Sequence, residues 1–498
     1  MSAMVAPTAA LTAEASESAV AAAMVELMAG PMAGLTVEPM AGLTVEPMAE
    51  QTVEPMAEQT AAPKAQLTVA PEGPQVSRMA AQTAEPMVEQ TAGRMAAPLA
   101  EDSVLAQLIA VDRDQFADQY WGQQPLLSPA ADLSARFGEL LSADAIDELV
   151  SERGLRTPFL RVAKNGATLA DQAFTAQGGV GAGIADQVSD DKLVRLFADG
   201  STLVLQALHR MWPPILEFCQ RLAAELGHPV QANAYVTPPQ NQGFSAHYDV
   251  HDVFVLQIDG EKQWRISPPV LESPLRDQPW SDRKSAVQKQ AQQPPMLEAV
   301  LRPGDCLYLP RGYLHAATAL GGVSTHLTLG IHVWTRFALA ERVVDQVLRT
   351  LAGDPAIRAS LPMGVNVADR TAIRSDTELI TAALLNAVQH ANLDQLSESL
   401  VQNARRNQRA APIGPLRQLR AAEAITDESL IMLRRHVIAS IDHTRSGPVV
   451  RSRAGDITVA EDDVAPLKAL LDTNTATAGD LGVDLARRLL LAGLVTVE

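Results

Sequence analysis

The pattern of apolar and polar residues changes period several times along the chain. From Asp102, DSVLAQLIAVDRDQFADQYWGQQPLL sets Leu105, Leu108 and Ile109, then Phe116, Tyr120 and Trp121, at helical intervals, which predicts one or two amphipathic helices closed by Pro125. SADAIDELVSERG opens on a Ser at the N-cap position and closes on Gly, and predicts another short helix. Residues 157–162 and 200–204 read as strands, and Pro213–Leu226 as a helix. From Gln231 the period falls to two. Residues 245–258 alternate and are rich in Val, Phe and Ile, which predicts a strand; Asp259-Gly260 then signals a tight turn, and residues 261–266 a returning strand. Residues 324–333 alternate again, with Ser324, His326, Thr328 and Gly330 on one face. Short strands with helices outside them predict a barrel, interrupted by a polar insertion at 267–293 of the kind that serves as a lid or mobile loop and would form part of a substrate groove.

Beyond Phe337 the period is helical once more. ALAERVVDQVLRTL carries Leu339, Val343, Val347 and Leu351 on one stripe, and ELITAALLNAVQHA carries Leu379, Ala383, Leu384 and Val388 on another. Such faces need something to cover them, and a second subunit is one solution. The last segment, 411–498, reads as short strands at 436–441, 448–452 and 456–460, helices at 464–471 and 485–492, and a final strand at 494–497; that order suggests a winged helix. At the other end, residues 1–99 contain no aromatic residue and run from Pro31 through PMAGLTVE, PMAGLTVE, PMAEQTVE and PMAEQTAA, with an echo at PMVEQTAG. Proline at every eighth position stops a helix from propagating, and eight residues are too few for a solenoid repeat that buries a face. Disorder is the expectation, with Met and Leu leaving room for a weak docking segment.

Composition narrows the possibilities. The 498 residues suffice for two or three domains with their own cores. The net charge is −18, of which eleven Glu against Lys64, Arg78 and Arg94 place −8 in residues 1–100. That balance argues against general nucleic-acid binding, and it suits either a basic polypeptide partner or plain solubility. Within 411–498, twelve acidic residues face ten basic ones, and GVDLARRLLLAG offers only Arg487 and Arg488, so direct DNA binding is not expected. Cys219 and Cys306 sit in apolar surroundings and read as free thiols, no stretch reaches about 20 apolar residues, and no basic leader precedes the repeats; the expectation is a cytoplasmic protein without a membrane span.

The chemistry concentrates in NAYVTPPQNQGFSAHYDVHDVFVLQIDGEKQWRI, residues 233–266. In a strand, His247 and Asp249 would share a face, placing an imidazole beside a carboxylate. His315, in PGDCLYLPRGYLH, follows Gly304, Pro310 and Gly312 at the spacing cupin barrels use to bring a histidine into the barrel mouth. Two His and one carboxylate on one side of a metal leave positions open, the donor set of non-haem Fe(II) oxygenases rather than a closed zinc site. Lys262 has two readings: swallowed by the barrel it requires an anion, which the distal carboxylate of 2-oxoglutarate would supply; at a hairpin end it is simply solvated.

These segments, with STHLTLGIH, resemble the JmjC-type ribosomal oxygenases, 2-oxoglutarate- and Fe(II)-dependent protein hydroxylases of the cupin superfamily. The likeness runs in domain order from about Phe116, Tyr120 and Trp121 to the C-terminus and is densest over 233–334. It implies an α+β chain built on a double-stranded β-helix (a cupin/JmjC jelly roll) with flanking helices. His247, Asp249 and His315 would hold Fe(II), and Lys262, fifteen residues past the first His, would bind the C5 carboxylate of 2-oxoglutarate. Asn233 and Thr328 would line the same pocket, with Tyr235 near the substrate. The domain order expected is a tail at 1–99, a catalytic domain at 100–335, a helical dimerisation region at 336–410 and a winged helix at 411–498. Two departures stand out: Gly330 replaces a frequent Ser, putting one co-substrate hydrogen bond in doubt, and His251 stands where the family has an aliphatic or aromatic residue, which favours a pocket-wall role over a fourth ligand. His326 and His332 read as wall or packing residues. The activity implied is O2-dependent hydroxylation of a His or Arg side chain of a ribosomal protein, by a homodimer. The alternatives are a cupin oxygenase acting on a small molecule or a non-ribosomal protein, and a non-catalytic winged-helix regulator or scaffold.

Overall fold

A computed structural model describes residues 103–498 apart from 165, 240, 242, 243 and 408; the octapeptide tail expected at 1–99 lies outside the described residues. Strands β1 Leu126–Ser128, β2 Leu160–Lys164, β3 Thr202–Leu205, β4 Val230–Thr237, β5 Asp252–Ser267, β6 Leu297–Leu301, β7 Cys306–Leu309 and β8 Leu314–Ile331, with the edge strand Ala167–Thr168, form one nine-stranded antiparallel sheet. Two of these strands are unusually long, β5 with 16 residues and β8 with 18. They pair with each other twice, 252–259 against 325–331 and 261–267 against 314–320, with a register shift between Leu320 and Thr325. The first stretch continues through β7 and β1 on one side and β4, β3 and β2 on the other; the second carries β6. One pair of strands thus builds both walls of a jelly roll, and Val253 and Val255 of one wall pack in a cluster with Trp264 and Ile266 of the other.

The bend falls at Gly260, whose φ is +63° and where a Cβ would lie 2.1 Å from the carbonyl oxygen of Val323. Only glycine combines that backbone conformation with so close an approach. The turn expected at Asp259-Gly260 is therefore a bend within one strand and not a hairpin between two. A second expectation also changes. Residues 245–251 are not part of a regular strand; their one ladder contact is an isolated antiparallel bridge between His247 and His315.

Alternation sorts the two faces of the sheet. Leu160, Val162, Leu203, Leu205, Ala232, Ala234, Leu327 and Leu329 lie in the main core, together with Ile215, Phe218 and Leu222 of the helix Pro213–Leu226. Burial of each large side chain there contributes about 2 kcal/mol. Residues between them face the opposite way, and His326, Tyr235, Val204 and Arg161 are successive register partners across four strands.

The N-terminal segment forms a 3-10 turn at Leu105–Gln107 and a short helix at Arg113–Gln115 that runs into a π-helical turn at Phe116–Tyr120, instead of one long helix. Ser142 caps the next helix by accepting from the Ala145 N–H. The polar insertion is anchored rather than loose: it contains the helix Lys284–Ala291, Val287 is buried with Tyr248, Val250 and Leu314, and the Tyr248 hydroxyl donates to the carbonyl of Gln278. Three apolar residues, Val270, Trp280 and Val287, dispersed among charges suffice for this.

Helices Arg336–Leu351, Arg374–Gln389 and Leu393–Asn407 follow. Parts of their apolar faces stay uncovered, with Leu348 53% and Leu385 61% exposed. The C-terminal segment has its own core. It holds a three-stranded sheet ordered Thr475–Thr477, Leu430–Leu433, Val495–Val497, a meander of Ser440–Thr444, Gly447–Ser452 and Gly455–Thr458, and helices that include Pro415–Ala424, Val464–Thr473 and Val483–Leu491. The helix Pro415–Ala424 and the strands Leu430–Leu433 and Thr475–Thr477 escape the sequence reading, and the strand expected at 436–441 begins at Ser440, after His436 takes a φ of +60°. Among the described residues no helix is long and apolar enough to cross a membrane.

Candidate metal centre

The His247–His315 bridge is a reciprocal pair: the His247 N–H donates to the His315 carbonyl at 3.2 Å, and the His315 N–H to the His247 carbonyl at 2.8 Å. Residues paired this way project their side chains to the same side. The two imidazoles stand 4.4 Å apart between centroids. Asp249 is fixed next to them because its carbonyl accepts from the Gly312 N–H at 3.0 Å, and its Oδ2 lies 3.7 Å from His315 Nε2. One ligand atom from each of His247, Asp249 and His315 falls within 4.8 Å of the others, and this is the group among the described residues with that property. The backbone has to turn sharply between the bridge and β7; Gly312 permits this with a φ of +90°, a Cβ there falling 2.6 Å from the Leu271 carbonyl oxygen.

The donor chemistry fits a divalent metal. His247 Nδ1 lies 2.7 Å from the Ser245 carbonyl and His315 Nδ1 3.1 Å from the Tyr313 carbonyl. A carbonyl can only accept, so each Nδ1 carries the proton and each Nε2 keeps a lone pair for a metal. Burial pushes His315 down to about 4, with His247 adding to the effect, so that imidazole is neutral at physiological pH. Burial acts to raise the carboxyl of Asp249, but His251, His315, His247 and Arg161 overcome it and hold it below its ordinary value. The neutral His315 imidazole and the Asp249 carboxylate are thus ready without prior deprotonation, with the His247 ring beside them.

The same cavity encloses Lys262. Its ammonium is 3% exposed, bonds to Thr237 Oγ1 at 3.0 Å and faces His326 Nδ1 at 3.3 Å; among the described residues no carboxylate pairs with it. Burial pushes it down to about 7. His326 is held well below its usual value by burial and then by Lys262, so its Nδ1 accepts from the ammonium. Its ring stacks on Tyr235 at 4.8 Å and 3°. The pocket is lined by the metal-capable trio, Lys262 and Thr237, the aromatic residues Tyr235, Phe244 and Trp264, and Thr202, His326 and Thr328.

Of the residues singled out from the sequence, His247, Asp249, His315, Lys262, Thr328 and Tyr235 meet in this one pocket. Asn233 does not line it; its Oδ1 accepts from the Ala207 N–H at 3.0 Å and holds a loop in which Ala207 has a φ of +56°. His251 and His332 pack against each other at 5.3 Å, outside the lining. Thr237 and Thr202 escaped the sequence reading. Thr237 follows Asn233 and Tyr235 on the same face of β4, so parity alone would have found it; Thr202 is brought in only by its hydroxyl's bond to Thr237 at 3.2 Å.

Residues 210–339 match the family described as the JmjC domain. The chain is 37% identical over 138 residues to ribosomal oxygenase 1 of Rattus norvegicus, covering 28% of this chain and 23% of that protein. It is 34% identical over 152 residues to the bifunctional lysine-specific demethylase and histidyl-hydroxylase NO66 of Drosophila persimilis, covering 30% of this chain and 21% of that one. The chain therefore aligns with less than a quarter of either relative's length. An X-ray structure of Escherichia coli ycfD matches 79% of this chain and 99% of its own, with a TM-score of 0.50 at 16% identity, a likeness of fold.

Proposed function

We propose that the chain, whose residues 210–339 match the JmjC domain and which is similar to ribosomal oxygenases, is an Fe(II)- and 2-oxoglutarate-dependent dioxygenase that hydroxylates a His or Arg side chain of a ribosomal protein. The observation that carries this reading is a single pocket holding two imidazoles and a carboxylate within 4.8 Å together with a buried ammonium that lacks an anion. His247 Nε2, Asp249 and His315 Nε2 would hold the iron. With 2-oxoglutarate and O2, that iron supplies the oxidising power to convert a C–H bond to C–OH, releasing succinate and CO2.

The protein's own residues do the rest. Lys262 grips the far carboxylate of the co-substrate; Thr237 Oγ1 and His326 Nδ1 take two of its three N–H bonds and leave one aimed by elimination. Thr328 adds a hydroxyl to the wall, and Trp264, Val253 and Val255 keep the cavity dry. A dry cavity strengthens the ion pair and protects reactive species from water. Tyr235 and Phe244 stand where a substrate side chain would enter, and the anchored insertion contributes Trp280, whose ring lies 6.2 Å from His247.

The uncovered apolar faces of Arg336–Leu351 and Arg374–Gln389 favour a homodimer. The three-stranded sheet with helices Val464–Thr473 and Val483–Leu491 favours a winged helix, whose near-balanced charge speaks for a protein contact over DNA. Two buried free thiols suit the cytoplasm. The experiment is turnover of 2-oxoglutarate to succinate by the iron-loaded full chain, with intact-mass analysis of ribosomal proteins before and after. Succinate with a single added oxygen on one ribosomal protein supports the reading. Succinate stimulated only by small metabolites moves the substrate to that class, and absence of both iron uptake and turnover removes the enzyme.

A further inference from the structure

One backbone position beside the metal-capable trio is left out of the hydrogen-bond ladder. In an antiparallel sheet each residue turns its N–H and its C=O to the same neighbouring strand, and successive residues turn to opposite neighbours. On the stretch 314–320 of β8, His315 exchanges both groups outward with His247, and the Ala319 N–H goes outward to the Asn241 carbonyl at 3.1 Å. Leu314, Ala316 and Thr318 therefore bond inward, to Ser267, Arg265 and Gln263 of β5. The same parity holds on the far side of β5, where the Ile266 carbonyl turns away from β8 and accepts from the Met296 N–H at 2.8 Å. Ala317, between His315 and Ala319, must turn its N–H and C=O outward as they do. Among the described residues neither group has a partner there.

The reason is local. A ladder continuing from the His247–His315 bridge would bring Ser245 opposite Ala317, but the Ser245 carbonyl is turned to His247 Nδ1 at 2.7 Å. The bond that orients a candidate metal ligand thus opens the strand edge at the next ladder position. Ala317 is partly exposed and lines the metal pocket, two residues, or about 7 Å, along the strand from His315. Its side chain is a methyl group, as is that of Ala316, which lines the same wall, so the strand adds no bulk at the opening. A carboxylate offers acceptors only and an ammonium donors only, and neither matches an adjacent N–H and C=O. The main chain of another extended segment carries both at the spacing a sheet edge requires.

Resting on the polypeptide-hydroxylase reading, we infer that the backbone of Ala317 is a docking subsite for the target polypeptide, which passes the metal as an extended segment and adds to the edge of β8 between His315 and Ala319. The subsite reads no side chain: it sets the path of the target's main chain and leaves the choice of target residue to the rest of the pocket.

The test uses the iron-loaded full chain and peptide libraries with degenerate flanks around a central His or Arg. Each library is also made with one backbone amide N-methylated, at a single position from two before the centre to two after it. The readouts are succinate release, divided by the peptide-free rate of the same preparation so that loss of folded or iron-loaded protein cancels, and added oxygen at the central residue. Methylation at one position should lower stimulation about tenfold. Ala317→Pro, which removes the outward N–H, should lower stimulation by the unmethylated library by a similar factor and abolish the further loss at the sensitive position, because both changes act on one contact. Proline is tolerated where an edge N–H points away from the ladder, so Ala317→Pro should keep the parent's midpoint in urea, whereas Thr318→Pro, whose N–H bonds inward, should lower it. Equal stimulation by every methylated form, or full additivity with Ala317→Pro, overturns the subsite and leaves the hydroxylase standing. A midpoint for Ala317→Pro as low as that of Thr318→Pro overturns it too, by placing the Ala317 N–H in the ladder. Turnover of 2-oxoglutarate with no library stimulated removes the polypeptide substrate and this inference with it.

Discussion

Replacing Lys262 by Met removes a charge while nearly preserving volume, and the structure sets opposite signs for its two effects. Burial takes this lysine from its ordinary 10.5 to about 7, which at about 1.4 kcal/mol per pH unit corresponds to about 5 kcal/mol held against the ligand-free fold. The variant forfeits the bonds to Thr237 and His326, about 1 kcal/mol each, so the ligand-free protein should gain about 3 kcal/mol of stability near pH 7. The pH dependence carries the same signature. Between about 7 and 10.5 the unfolded lysine is protonated and the folded one is not, so the unfolded state binds more protons and parent stability rises with pH; below about 7 both forms carry the proton and the contribution is flat. The variant should lack that rise. For 2-oxoglutarate, loss of the ammonium leaves a carboxylate buried without its partner, at a cost of about 3 to 5 kcal/mol, or roughly a hundred- to several-thousand-fold in apparent affinity. Urea unfolding at several pH values measures the first effect, and the concentration dependence of succinate release the second. A variant less stable than its parent, with the parent's pH slope and co-substrate dependence, would refute the placement of Lys262 as an anion receptor.

Asp249→Ala removes the anionic member of the trio and should reduce both iron content and turnover by about 100-fold or more, as metal analysis beside succinate release will check; an active, iron-loaded variant would sink the trio. Gly260→Ala places a Cβ 2.1 Å from the Val323 carbonyl oxygen in a left-handed backbone conformation, and should cost about 2 to 5 kcal/mol in denaturant unfolding. An unchanged midpoint would mean that the bend relaxes freely. Leu348→Asp combined with Leu385→Asp, on exposed helical faces, should weaken self-association by more than about 30-fold in sedimentation velocity while leaving the melting of the barrel in place; identical sedimentation of parent and variant at all concentrations argues against these faces as the subunit contact.

The spacing of His247, Asp249 and His315 was legible because their chemistry is local to short motifs. The reason they meet was not. Strand parity assigned His247 and Asp249 to one face, whereas the structure aligns His247 with His315 through a reciprocal backbone pair formed across 68 positions of sequence. Asp-Gly marks a hairpin and an intrastrand bend equally well; what decides between them is that 261–267 pairs with 314–320 and with Leu297–Leu301, partners invisible in a local window. Parity did serve on the sheet itself, where Ser324, His326, Thr328 and Gly330 fall opposite the core residues Leu327, Leu329 and Ile331. Strands of three or four residues in the C-terminal segment carry too little alternation to be read.

Because β5 and β8 run unbroken through both walls, neither wall can melt while the other survives. The barrel should exchange its amide hydrogens as one cooperative block, its rate of formation set by the search that unites segments some sixty residues apart. Proteolytic nicking within 268–296 ought then to leave the two fragments associated, whereas a cut at the Gly260 bend would dissolve the whole enclosure.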